Sequence, residues 1–245
     1  MLTVGLDILR ILAEAEGPLT ATAIAGRVDL HLSNVSRSLR ILTEHGYVRK
    51  PTYHSFAVDL GVLALAGSSA SRVPAVARTR KPLAEVAAAS GMNAALAALH
   101  REQVLYLHHV APGDQVISAV AGGWPLHLSV VGLRLLLDRP ARVGKAALER
   151  AARRYGWERP TPTTPADPTA CLAAARARLH HGILRTDHWD TPGDSAAAIA
   201  IAVEGQPPLA LALHGRCPAT DPAAHLRHHL TAAAAAIATA LQEPS

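Results

Sequence analysis

Cysteine is scarce: Cys171 and Cys217 are the only two in 245 residues, far apart and in no CxxC spacing. That excludes a disulfide framework and a zinc ribbon, and it suits a reducing cytosol. Long apolar runs are lacking as well. Asp7 and Arg10 interrupt the first apolar stretch, so no secretory leader is expected. The longest uncharged run, 115–133, contains Gly122-Gly123-Trp124-Pro125. A membrane span needs ~20 predominantly apolar residues, so this run reads as strand, turn and helix. No GxSxG surrounds any serine, and no glycine-rich phosphate cradle occurs, so neither a hydrolase elbow nor a nucleotide loop is expected. Internal repeats and low-complexity tails are missing too.

What is there suffices for real cores. Apolar residues make up 49% and charged residues 18%, which excludes a disordered tail protein. The length fits one large domain or two modest ones, and a globular, cytoplasmic protein is expected. The net charge is +5, which permits a polyanionic partner, but its placement says more than its total. Residues 1–67 carry six Lys/Arg and six Asp/Glu. Within them, residues 31–55 hold Arg37, Arg40, Arg49 and Lys50 against Glu44 alone. A second basic stretch, 134–159, has eight basic and three acidic residues and reads as a solvated helix face.

Leu2, Leu6, Leu9 and Leu12 recur at helical spacing and predict an amphipathic helix over 3–15, ended by Gly17-Pro18. Thr20 is the expected N-cap of a second helix, 21–27. Ser33 is the expected N-cap of a third, with Val35, Leu39 and Leu42 as its core stripe and Gly46 as its C′ residue. Two β-prone runs follow, 47–50 and 55–58, forming a hairpin. Helix, turn, helix and hairpin over about sixty residues outline a winged helix-turn-helix. Ser33, Asn34, Ser36, Arg37 and Arg40 then fall outward near the start of the third helix. Arg forks onto guanine or phosphate, Asn onto adenine, and Ser onto backbone or base. Arg49, Lys50 and His54 on the hairpin suit flanking phosphates.

Residues 59–90 read as helical, interrupted at Gly67-Ser68-Ser69, with Pro82 kinking the second part or opening a new first turn. Beyond them the texture changes. Strands are expected at 92–99, 104–110, 116–121, 183–186, 196–203 and 209–214, and helices at 128–138, 143–155, 168–181 and 222–241. The fold class is α+β, with antiparallel strands flanked by helices. The expected divisions are a head at 1–58, a helical linker at 59–81 and a second domain at 82–245.

Fourteen histidines invite a metal reading. His225 and His229 share an i, i+4 face beside His228, but helical pairs without a nearby carboxylate or thiolate usually face solvent. His108 and His109 are neighbours on a strand and point to opposite faces. No metal or other cofactor is expected. Ser129, His127 and Asp187 suggest a triad only on paper, so an enzyme is not expected.

Four segments together resemble the IclR family of bacterial transcriptional regulators: GLDILRILAEAEGPLTATAIAGRVDLHLSNVSRSLRILTEHGYV (5–48), PLAEVAAASGMNAALAALHREQVLYLHHV (82–110), GWPLHLSVVGL (123–133) and HGILRTDHWDTPGDSAAAIAIAV (181–203). The first is generic to winged heads; the order of the other three behind it is more specific. The resemblance implies a DNA-binding head, a dimerising helical linker and a GAF-like effector domain. Its implied partners are double-stranded operator DNA, a small-molecule effector and further copies of the chain, as a homodimer or homotetramer. The resemblance puts Met92, Leu96, His127, Ser129, Gly132, Asp187, Asp194, Ser195 and Ala196 in the effector pocket. The chain departs from the family where Leu133 replaces a usual lysine and Ala196 a frequent cysteine.

Overall fold

The computed structural model of the chain describes residues 2–101, 103–113, 115–118 and 124–243. They form two compact units, 1–73 and 74–245.

The first unit begins with helices α1 (Leu2–Ala13), α2 (Ala21–Val28) and α3 (Leu32–Glu44). Strands β1 (Leu19–Thr20), β2 (Val48–Thr52) and β3 (Ser55–Val58) form a small antiparallel sheet in the order β1-β3-β2, and α4 (Leu60–Ala70) follows. Ile8, Leu12, Ile24, Val35, Leu39, Val48 and Phe56 make one core, which is where the helical spacing puts the apolar side of each helix. Thr20 caps α2 as its sequence suggests, its Oγ1 accepting from the Ala23 N–H at 3.1 Å. Ser33 does not cap α3. The link from α2 spans only 29–31, with Asp29 left-handed at φ 53°, so the helix starts sooner. His31 takes the cap position without a side-chain bond, and Ser33 stands exposed in the first turn. Gly46 is left-handed at φ 72°, as expected of a residue that stops α3.

Among the described residues, the second unit holds seven antiparallel strands in the order β6-β5-β4-β10-β9-β8-β7. They are β4 (Asn93–His100), β5 (Gln103–Ala111), β6 (Gln115–Ser118), β7 (Leu179–His180), β8 (Ile183–Arg185), β9 (Ser195–Ile201) and β10 (Leu209–Gly215). The helices are α5 (Pro74–Ala77), α6 (Arg80–Ser90), α7 (Val130–Leu137), α8 (Ala141–Tyr155), α9 (Pro168–Ala177) and α10 (Pro222–Gln242). Pro82 lies in the first turn of α6, where a missing N–H is harmless. The helix expected through 181 ends at Ala177, and Leu179–His180 pair with β8 instead. The turn between them is His181 (φ 51°) and Gly182 (φ 79°), the two left-handed residues of a tight hairpin. Of the strand expected at 116–121, residues 119–121 lie outside those described.

The two faces of the sheet differ in side-chain size. Leu96, Leu209, Leu211, Leu213 and Ile201 point to the layer of α6 and α10, where they form a thick core with Leu226, Leu230 and Ile237. The alternate positions are alanines, Ala97, Ala198, Ala210 and Ala212; they meet α7, and α8 and α9 complete the layer. Strand alternation thus gives one full face and one shallow one. Helix α7 lies close over the shallow face because Gly132 lacks a side chain. A Cβ there would come within 2.6 Å of Val104 and 2.7 Å of Leu126.

Candidate functional sites

In the first unit, Ser33, Asn34, Ser36, Arg37 and Arg40 are all exposed on α3, while Val35 and Leu39 are buried beneath them. Arg40 lies 3.8 Å from Glu44, an i, i+4 pair open to solvent and therefore weak. Arg49 and Lys50 are exposed on β2, and the Lys50 ammonium lies 5.1 Å from the Phe56 ring centre. The hairpin tip also carries Tyr53, 85% exposed and edge-on to His54. All seven predicted residues are exposed in this unit, as polar and cationic groups on a helix and a hairpin.

In the second unit, the shallow face is not fully covered. A cavity of about 480 Å³ lies between the sheet, the start of α7 and the loop from β8 to β9. Ala95, Ala196 and Ala212 line its sheet side, and Leu128, Val130 and Val131 its helix side. Asp194, Ser195 and Ala196 of the predicted pocket residues do line it. The other six stand behind it.

Met92 and Leu96 do not face the cavity. They are buried in the core under α6 and α10, because alternation along β4 turns Ala95, not Leu96, toward it. His127 is also withdrawn: its ring stacks on Trp157 at 4.0 Å and its Nε2–H donates to the Glu158 carbonyl at 2.8 Å. Burial pushes its pKa down, so the neutral ring is favoured. Ser129 caps α7, its Oγ accepting from the Gly132 N–H at 3.2 Å and sharing a 3.0 Å bond with the Tyr106 hydroxyl. Gly132 serves the close approach of α7 described above. Asp187 pairs with Arg185 at 2.6 Å and accepts the Ala196 N–H at 3.1 Å, which pins the loop to β9. These four hold the walls that other residues present.

Several lining residues were not assigned to the pocket from sequence: Tyr106, His109, His214, Trp124, His188 and Asp190. The first three form a chain. The Tyr106 and His109 rings stack at 6.0 Å, and His109 Nε2 lies 2.7 Å from His214 Nε2. His109 is on β5 and His214 on β10, with β4 between them. They meet because the residue opposite His109 on β4 is only Ala95. Burial raises the Tyr106 pKa and lowers that of both histidines, His214 to about 4. His108, its neighbour, points away and bonds the Val76 carbonyl at 2.7 Å, so the two do face opposite sides. Strict alternation would put Tyr106 and His109, three residues apart, on opposite faces; the register shift opposite Leu96 and Ala97 brings both to the cavity side. Nothing local ties His214, 105 residues later, to either.

Comparison with known proteins agrees over nearly the whole chain. The profile of the IclR helix-turn-helix domain matches residues 1–51, and that of the bacterial transcriptional regulator IclR C-terminal domain matches residues 67–239. Solved structures with the same fold include an IclR family transcriptional regulator from Brucella abortus, at TM-score 0.78 and 21% identity, covering 98% of this chain and 91% of that one. An IclR transcriptional regulator from Silicibacter sp. TM1040 aligns at 0.77 and 21% over 99% and 96%. An IclR homologue from Microbacterium hydrocarbonoxydans, solved with 4-hydroxybenzoate, aligns at 0.68 and 22% over 98% of each chain. No match to a curated protein is found by sequence comparison.

Proposed function

The chain belongs to the IclR family of bacterial transcriptional regulators, and on that premise we propose that α3 reads operator DNA and that the cavity over the shallow sheet face binds the effector. The single observation that carries this is the cavity itself. It is a concave site of about 480 Å³ with an apolar wall of alanine, leucine and valine side chains and polar groups from the β8–β9 loop and from Tyr106, His109 and His214, a form that suits a small molecule. The ligand-bound relative from Microbacterium hydrocarbonoxydans supports a small aromatic or similar molecule as the class of size.

Five exposed polar or cationic residues along the outer side of α3 suit the major groove, and Arg49 and Lys50 suit flanking phosphates. Residues 1–58 act as the head, 59–81 as the linker and 82–245 as the effector domain. The protein works in the cytoplasm as a homodimer or homotetramer, because one head reads too few base pairs for useful specificity. Leu2, Leu6, Leu60, Leu63 and Leu65 are each more than half exposed and supply apolar faces for that contact.

The test is to fill the cavity. An operator selected from random duplexes is titrated with the protein, with and without a ligand found to change its affinity. Ala196→Trp should abolish the change. A variant that still responds as the unmodified chain does would place the effector elsewhere.

A further inference from the structure

The charge around the cavity is one-sided. Asp190 and Asp194 line it, and no lysine or arginine does so among the described residues. Residues 119–123, between β6 and α7 in sequence, are Ala-Val-Ala-Gly-Gly and add no charge. Arg185, at the end of β8, is held by Asp187 at 2.6 Å and is not a lining residue.

The imidazoles do not make up the deficit. At 2.7 Å, His109 Nε2 and His214 Nε2 must share one proton, since two N–H groups cannot face each other so closely. The pair therefore carries at most one positive charge, and burial favours none. His188 Nδ1 accepts the Gly193 N–H at 3.0 Å, so that nitrogen is engaged and is no donor to an anion. The start of α7 contributes only about half a positive charge, and Ser129 already accepts one of its N–H groups. Two carboxylates outweigh that. Tyr106 and Trp124 add aromatic rings to the lining, and the face of such a ring attracts cations and not anions.

Resting on the reading of this cavity as the effector site, we propose that the effector is a small apolar amine bound as its ammonium ion. The ammonium sits at Asp190 and Asp194. The apolar body lies against Ala95, Val130, Val131 and Ala212. Asp190 is exposed at the rim and Asp194 is half-buried; crowding by the surrounding protein and the nearby Asp194 push the Asp190 pKa up, and an adjacent cation offsets both.

The test uses three probes with one ring and three charges: benzylamine, benzyl alcohol and benzoate. Each is titrated into the full-length protein by calorimetry at neutral pH. Benzylamine should bind at least about tenfold more tightly than benzoate. In the double variant Asp190→Asn/Asp194→Asn, the advantage of the amine over the alcohol should collapse. Ala196→Trp should weaken benzylamine binding at least about tenfold. The proposal is overturned if benzoate binds as well as benzylamine, if benzylamine fails to bind at millimolar concentration, or if Ala196→Trp binds it unchanged. Should the double variant not fold, the ranking on the unmodified chain still decides. Operator affinity is measured alongside. Benzylamine binding without any change in operator affinity keeps the ammonium preference and removes the effector reading. Benzoate binding that does change it keeps the effector reading and removes the preference.

Discussion

At the residue scale, exposure and charge separate two roles for the cations of the head. Arg37 and Arg40 stand on α3 and Arg49 and Lys50 on β2, all exposed. Arg37→Ala and Arg40→Ala should each weaken specific binding by ~1–3 kcal/mol if the contact is to a base edge. Arg49→Ala or Lys50→Ala should weaken all sequences alike and lower the salt slope. Mobility-shift titrations on specific and random duplexes check both; full operator affinity in the Arg37→Ala/Arg40→Ala variant would falsify the assignment of α3. His214 makes a different prediction. Burial, with His109 beside it, pushes its pKa down to about 4, whereas a free imidazole titrates near ~6.5. Between those values the unfolded chain binds a proton that the fold disfavours. The contribution to stability is full above pH ~6.5 and falls as pH drops toward 4, by about 3 kcal/mol across the window. Urea denaturation at stepped pH should show this slope, and His214→Gln should flatten it. Equal slopes in the two proteins would count against the pair.

At the element scale, α4 stands out because none of its residues is buried, although Leu60, Leu63 and Leu65 are 73%, 68% and 59% exposed. Helix α1 buries Ile8 and Leu12 but leaves Leu2 and Leu6 open. Burying a leucine is worth about 1.5–3 kcal/mol, so Leu60→Lys/Leu63→Lys should weaken self-association by about a hundredfold or more. Light scattering at micromolar concentration should report a dimer or tetramer for the natural chain and a shift toward 25.7 kDa for the variant. A natural chain that is monomeric there would remove the role given to α4. Periodicity made most helices legible, since the apolar positions of α1, α2 and α3 recur at the helical period. The short strands were less so. β1 is two residues long and exists only because Leu19 and Thr20 reach Phe56 and Ser55 of β3. β7 was hidden in an alanine-rich helix pattern and exists because His181-Gly182 can fold back on β8.

At the scale of the whole molecule, ligand and DNA must affect each other equally. A ligand shifts operator affinity only through its differential affinity for two arrangements, and operator DNA then changes ligand affinity by the same factor. Calorimetric titration of an active ligand, with and without saturating operator, should give a ratio equal to the ligand-induced change in operator affinity. Unequal ratios would mean that more than one equilibrium is being read.

The α+β class, the winged head, the α3 face and the rough limits of most elements follow from the sequence alone, because each rests on local rules. Periodicity, capping and turn residues act within a few positions of one another. The cavity does not follow from local rules. Asp194, Ser195 and Ala196 line it, whereas Met92 and Leu96 lie on the other side of the sheet, which only the β4 register decides. Tyr106, His109 and His214 come together from β5 and β10 across an alanine of β4. That meeting depends on strand order and on the size of one intervening side chain, which only the folded sheet decides.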